Sequence, residues 1–420
     1  MIPYETTHLI LIFKEKKLDL IKISHPLNAF EIAKRISFQK QKSYTRFIVR
    51  LSIAATAISV AAILITLSIV NGFQQTVSNK VYAFWGQIRI SSVNGAPLEA
   101  NASTVNNLSA IKFVKKVTPF LNQSTVLSYD QDIEGVVARG LPTNAPTPFL
   151  VKGRGIQNEK DSLSNEVVLS DQLATTLNIT IGATVRLYFL NLGDVQQRKL
   201  KVVGIYHSGI EDYDKQFILV DIKLLQQLNN HFNQIEGYSI ALKKGASIDK
   251  VNDEVQRQMP ANWVSTTIKD YYPQIFDWIG VQTINRNVTI TIMLLIAIVN
   301  LLTCLFILML ERIPMIGTLS ALGATQNFIR QVFLYQASII CWMGIGLGTT
   351  LGIGLSYLQQ KFGWIQLDES AYFIKTLPIE FDGIQIVSVI LGTAIISYCS
   401  FLIPTLWIKK IAPAKAIKFD

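Results

Sequence analysis

Four stretches of the chain carry no charged side chain: residues 51–79, 287–310, 331–360 and 383–408. Within them lie the apolar runs LSIAATAISVAAILITLSIV (51–70), VTITIMLLIAIVNLLTCLFILML (288–310), QVFLYQASIICWMGIGLGTTLGIGLSYL (331–358) and GIQIVSVILGTAIISYCSFLIPTLWI (383–408). None has a polar stripe at helical spacing. A helix that is apolar all round belongs in a large core or a membrane, and each stretch exceeds the roughly 20 residues that cross a bilayer. The pattern predicts four transmembrane helices. The first reads as an uncleaved signal anchor. Its apolar run is longer than the roughly 7–15 residues of a cleaved signal, and Asn71-Gly72-Phe73 follows it instead of a small-x-small cleavage site.

Between the first two spans the period changes. Short β-branched runs predict strands at 87–91, 166–170, 184–190, 199–206 and 238–243. Helical patterns lie at 170–179, 221–232 and 247–259, the last with Ser247 as N-cap and Asp249 and Asp253 early in the helix. Gly182 and Gly204 read as turn or bulge positions, and the polar stretches near 94–110 and 152–165 as loops. The expected fold is thus a membrane protein of four transmembrane α-helices with a large α+β extracytoplasmic domain between helices 1 and 2.

Composition agrees. Only 16% of the 420 residues are charged, against roughly 25% in soluble domains. Charge then orients the chain. Residues 1–50 hold ten Lys/Arg against four Asp/Glu, the 311–330 loop has Arg312 and Arg330 against Glu311, and the 409–420 tail has four lysines against Asp420. These three segments account for the whole net charge of +10, while 73–286 and 359–382 cancel. Lys and Arg mark the cytoplasmic side. The expected order is a cytoplasmic segment 1–46 with an amphipathic helix, span 47–72, outer domain 73–286, span 287–310, cytoplasmic loop 311–330, span 331–358, short outer loop 359–382, span 383–408 and cytoplasmic tail 409–420. The same basic bias beside membrane spans argues against nucleic-acid binding. Arg50, at the mouth of the first span, is expected to snorkel to the headgroups.

Catalytic signatures are missing. There is no H-E-x-x-H, no G-x-S-x-G and no G-x-x-x-x-G-K-[ST]. No catalytic residue, metal ligand or cofactor is expected, and any ATP must be bound by a partner. His207 lies near Glu211, Asp212 and Asp214; this reads as a solvated acidic loop, because a site needs convergent groups that one segment rarely supplies. Cys304, Cys341 and Cys399 fall in the spans and read as small hydrophobes. The glycines at 344, 346, 348, 352 and 354 include small-xxx-small spacings suited to close helix packing.

The 311–330 loop carries an amphipathic signal. Met315, Ile316, Leu319 and Leu322 fall on one face of a short helix that Gly323 would end. Such a helix could lie on the membrane, pack on its own bundle or dock into a groove on a cytosolic partner.

The run Glu311-Arg312, Met315-Ile316-Gly317, Leu319 and Ala321-Leu322-Gly323-Ala324 resembles the coupling loop of the ABC permease family that includes MacB, FtsX and the lipoprotein-releasing permeases LolC and LolE. The order of spans is similar too. Ser68-Ile69-Val70-Asn71-Gly72-Phe73 resembles the end of the first span in LolC-like proteins, and Val203-Gly204-Ile205-Tyr206 with Ser208-Gly209-Ile210-Glu211-Asp212-Tyr213-Asp214 resembles a segment of LolC and LolE. MacB carries a fused ATPase domain, and FtsX proteins have a smaller outer domain. The likeness covers about residues 28–420; Pro314 and Ser320 depart from the family pattern.

The resemblance implies a transporter half in the bacterial inner membrane, with both termini cytoplasmic. A LolD-like ATPase dimer would bind ATP and grip Glu311, Arg312, Met315, Ile316, Leu319, Leu322 and Gly323. A second permease chain, LolC/LolE-like or a second copy, would complete the channel. Substrate lipoproteins would meet Ile65, Ile69, Phe73, Ile290, Met293 and Leu294 at the outer ends of the first two spans, and a LolA-like periplasmic carrier would receive them. Each buried acyl CH₂ is worth about 0.8 kcal/mol, so extraction needs coupled ATP. The alternatives are a MacB-like peptide or drug exporter and an FtsX-like subunit that signals to a cell-wall enzyme.

Overall fold

The computed structural model describes residues 29–31, 33, 43–143, 145–157, 163–191, 194–229 and 233–407. Most of the expected N-terminal segment and all of the expected C-terminal tail lie outside these residues. The chain divides into two compact units. One holds the described residues up to Ser68, Arg286–Tyr357 and those from Phe381 on; the other holds Ile69–Asn285 and Leu358–Glu380.

Among the described residues, four helices are long and apolar enough to cross a membrane: α1 (Ser43–Trp85), α8 (Pro273–Glu311), α10 (Gln326–Phe362) and α12 (Gly383–Trp407). The helices α1 and α8 outrun the expected spans. The charge-free window measures how far the chain is apolar on all sides. Beyond it α1 keeps a helical stripe, with Val81 and Phe84 buried in line with Val77, so it continues to Trp85 as an amphipathic helix.

In the first unit the spans share one core. Val60 and Leu64 of α1 pack with Leu301, Leu305 and Leu308 of α8, Phe333, Ile340 and Ile345 of α10, and Phe401 of α12. Asn300 of α8 donates from Nδ2 to the Ser52 carbonyl of α1 at 3.1 Å. The small residues of α10 work as their spacing predicts. A Cβ on Gly348 would meet the Ala57 carbonyl oxygen at 2.5 Å and Val60 Cβ at 2.8 Å. Gly348→Val is therefore expected to force α1 and α10 apart, costing at least the roughly 1–3 kcal/mol of an overpacked core. A lowered unfolding midpoint of the detergent-solubilised protein would report it; an unchanged midpoint would contradict the close packing.

The second unit is built on strands β1 (Ile88–Ser92), β2 (Leu98–Glu99), β3 (Val114–Tyr129), β4 (Asp132–Leu141), β5 (Leu150–Gly153), β6 (Glu166–Ser170), β7 (Thr184–Asn191), β8 (Asp194–Tyr206), β9 (Phe217–Asp221), β10 (Gln234–Ile235), β11 (Gly237–Leu242) and β12 (Trp263–Thr267). Its short helices are α2 (Ala102–Ala110), α3 (Asp171–Thr176), α4 (Glu211–Gln216), α5 (Ile222–Leu228), α6 (Ile248–Arg257), α7 (Ile268–Tyr271) and α11 (Glu369–Tyr372). The pairing β3–β4–β9–β6–β8–β7 returns to β3 and closes a barrel. Two of its pairs are parallel, β4–β9 and β6–β8. Its interior is filled by Leu127, Ala138, Leu169, Leu187, Phe189, Val202 and Ile218. The first half of β3 instead pairs with β11 and extends into the open arm β12–β1–β11.

The predicted strands all form. Gly182 sits in a turn at φ +94°, and Gly204 follows the bulge at which β8 shifts register against β6. Ser247 stands at the N-cap of α6 without a side-chain capping bond. Two expected loops are corrected. Residues 102–110 form α2, whose end is held by the Asn101 side chain accepting from the Ser103 amide at 2.9 Å, and Leu150–Gly153 adds β5.

The end of α1 is captured by this domain. Arg139, 2% exposed, donates to the Phe84 carbonyl at 3.2 Å and lies 4.2 Å from the Trp85 ring centroid. A cation at a helix C-terminus meets its negative dipole end. Burial, with Arg89 alongside, pulls the Arg139 guanidinium down to about 10. Ser239 adds a hydroxyl bond to the Trp85 carbonyl at 2.5 Å.

Candidate functional site

The expected coupling segment folds as α9 (Ile313–Ala321). Pro314 falls in its first turn, where no intrahelical donor is lost. Its end is a complete Schellman motif. The Gly323 amide donates to the Ser320 carbonyl at 3.1 Å and the Ala324 amide to the Leu319 carbonyl at 2.9 Å. Gly323 takes φ +88°, a conformation that a side chain would strain.

The predicted apolar face of α9 is divided. Ile316 is buried in the core of the first unit, and Met315 and Leu319 are half-buried against it. Leu322 is 84% exposed. Glu311 and Arg312 are half-buried, and Arg312 occupies the N-cap. Of the uses open to such a stripe, the inner residues take the second and hold α9 to its own bundle. The solvent face is made by Pro314, Thr318, Ala321, Leu322 and Gly323.

The residues expected to meet lipid are also divided. Ile65, Ile290, Met293 and Leu294 are half-buried in the first unit, and Ile69 is half-buried in the second. Phe73 is enclosed instead: it is 7% exposed and packs edge-to-face on Trp278 at 5.1 Å and Tyr372 at 6.5 Å. Gly72 allows this enclosure, since a Cβ there would meet the Pro378 carbonyl oxygen at 2.6 Å and the Glu380 amide nitrogen at 2.9 Å.

The second unit contains a polar centre that local sequence did not reveal. Tyr206 ends β8, and the chain turns through His207–Ile210 into α4, which carries Asp214. Asp214 is 3% exposed, not solvated. Its carboxylate accepts from the amides of Ser208 and Gly209, both at 3.0 Å. Ser208 caps the turn again, its hydroxyl accepting from the Ile210 amide at 3.0 Å. The turn presents His207 between two carboxylates. Nδ1 lies 2.8 Å from Asp171, at the start of α3, and Nε2 lies 2.8 Å from Glu369 of α11. Asp214 stands 3.7 Å from Nδ1. Lys80 and Lys375 lie 3.8 and 3.3 Å from Glu369. Glu211 is exposed and pairs with Lys215, four residues on.

Burial alone would push the His207 imidazole down, but its hydrogen bonds to Asp171 and Glu369 and their charges hold it above its ordinary value. Burial likewise works to raise Glu369, yet His207 and Lys375 keep it below the usual carboxylate range. Burial pushes Asp214 up, against the Ser208 and Gly209 amides. Asp171, His207 and Asp214 each bring a donor atom within 4.8 Å of the others. Both imidazole nitrogens already face carboxylates and two lysines already answer the negative charge, so the cluster is an ion-pair network. Sequence reading missed Glu369 because 162 positions separate it from His207 and no motif links them.

Residues 51–258 match the MacB-like periplasmic core domain, and residues 287–413 match the FtsX-like permease C-terminal domain. The lipoprotein-releasing system transmembrane protein LolC of Haemophilus influenzae is 23% identical over 409 residues, spanning 92% of this chain and 98% of that protein. LolE of the same organism is 23% identical over 418 residues, spanning 92% and 98%. LolC of Neisseria meningitidis serogroup B is 20% identical over 408 residues, spanning 91% and 96%.

Proposed function

Since the chain belongs to the MacB/FtsX-type ABC permeases, we propose that it is the membrane half of a transporter that extracts lipoproteins from the bacterial inner membrane and hands them to a soluble carrier. The observation that carries this reading is the end-to-end similarity to LolC and LolE, which includes the outer domain as well as the spans. A LolD-like ATPase dimer binds and hydrolyses ATP on the cytoplasmic side and grips the exposed face of α9. A second permease chain, LolC/LolE-like or another copy of this one, completes the assembly. The clustering of Lys and Arg in 1–50 and 409–420 supports termini on the cytoplasmic side. Ile65, Ile290, Met293 and Leu294, apolar and half-buried, are the residues best placed for the acyl chains. A LolA-like carrier takes the released lipoprotein.

Depleting the protein in its own cell and separating the two membranes tests this. Lipoproteins destined for the outer membrane are expected to accumulate in the inner membrane. Normal sorting would overturn the reading; with a division or wall defect it would favour the signalling alternative, and without one the export of another substrate.

A further inference from the structure

We propose that His207 is a proton-dependent latch that docks α11, in the segment between α10 and α12, onto the β-rich domain. The geometry favours one protonation state. A neutral imidazole has one N–H and can donate to one carboxylate only. Here both ring nitrogens lie 2.8 Å from carboxylates on different elements, Asp171 of α3 and Glu369 of α11. The Nε2 contact is a hydrogen bond and the Nδ1 contact a close ion-pair approach; both are attractive at once only when the ring is imidazolium.

Charge balance points the same way. The groups facing the imidazole are Asp171 from α3, Asp214 from α4 and Glu369 from α11. Lys80 from α1 and Lys375 from the chain after α11 complete the cluster. Three carboxylates face two ammonium groups, so a protonated His207 brings the cluster to neutrality and a neutral one leaves it negative. His207 and the three carboxylates line a cavity of about 410 Å³, with Glu211, itself paired with Lys215, at the same wall; His207 and Glu369 are each about one-fifth exposed, so the ring can exchange its proton with solvent.

The docked turn also holds strain that release would relieve. Phe373, directly after α11, sits at φ +61°, a left-handed conformation that costs a bulky residue energy. Lys80 holds it there by donating to its carbonyl at 2.7 Å. The sign follows from the raised imidazole: the latch is complete below the ordinary histidine range and is lost as pH rises through the folded-state value. The inference stands whatever substrate the permease moves.

Amide hydrogen exchange on the full chain in lipid nanodiscs, at pH 6 and pH 8.5 and corrected for intrinsic rates, tests it. The peptide spanning 368–373 is expected to exchange at least tenfold faster at the higher pH, while barrel peptides from β6 and β8 do not change. In His207→Gln the same peptide should exchange fast at both values. Glu369→Gln, which leaves the imidazole in place, should behave likewise, and it decides the matter should His207→Gln lose barrel protection. Equal protection of 368–373 at both values in the wild-type chain would overturn the latch, as would a pH dependence that survives in Glu369→Gln.

Discussion

Replacing Leu322 by aspartate is expected to release the partner ATPase while leaving the four helices folded and inserted. The side chain is 84% exposed and touches none of the core that α9 helps to close. Surface changes of this kind cost a fold no more than about 0.5 kcal/mol. At an interface the balance differs. A helix laid in a groove binds through a few apolar anchors, and a central anchor is worth about 2 kcal/mol or more, so losing it while burying a charge weakens association by at least about 30-fold. Leu319→Asp is a poorer probe. Leu319 packs against Ile316 and the bundle, so its charge would enter the protein's own core, and lost association could not be separated from lost folding. Co-purification of the ATPase with Leu322→Asp, against wild type at equal membrane abundance, is the measurement. Undiminished recovery would move the contact away from this face of α9.

That contrast marks what one sequence reveals. The stripe of Met315, Ile316, Leu319 and Leu322 announced a short helix and its end, and Gly323 announced the cap. Periodicity states which residues share a face; it does not state what the face meets. The bundle takes the inner positions and leaves Leu322 over. The spans were legible because a charge-free run of their length has few other uses, whereas the amphipathic continuations of α1 to Trp85 and of α8 from Pro273 fall outside any such window. The strands β6, β7 and β8 were legible from β-branched runs. The long hairpin of β3 and β4 was not, because β3 changes partners near Leu121 and its inward face changes with them, which erases simple alternation. The polar centre was the least legible part. The sequence places His207 and Asp214 in one segment, but Asp171, Lys80 and Glu369 reach it only through the fold.

The buried carboxylate of that centre supplies the largest expected loss of stability. Asp214→Ala removes the acceptor for two amides, Ser208 and Gly209, at the buried turn that follows β8. Each orphaned buried donor costs about 1–3 kcal/mol, and water entering from the adjoining cavity recovers part of this, so a net loss of about 2–5 kcal/mol is expected. At roughly 2–4 °C per kcal/mol for a unit of this size, the apparent midpoint of the full chain in detergent should fall by roughly 4–20 °C. Asp214→Asn separates the two things a carboxylate offers. Burial works against the charge of this carboxyl, and the Ser208 and Gly209 amides work for it. The two amides meet different oxygens, Ser208 on Oδ1 and Gly209 on Oδ2. Asparagine keeps one of these acceptors and sets an N–H donor against the other amide, so the amide variant is expected to lose less than alanine but not to match the carboxylate. Equal losses for the two variants would mean that the turn needs both carboxylate oxygens, and no loss for alanine would mean that the Ser208–Asp214 segment is held by its apolar neighbours Ile210 and Tyr213 alone.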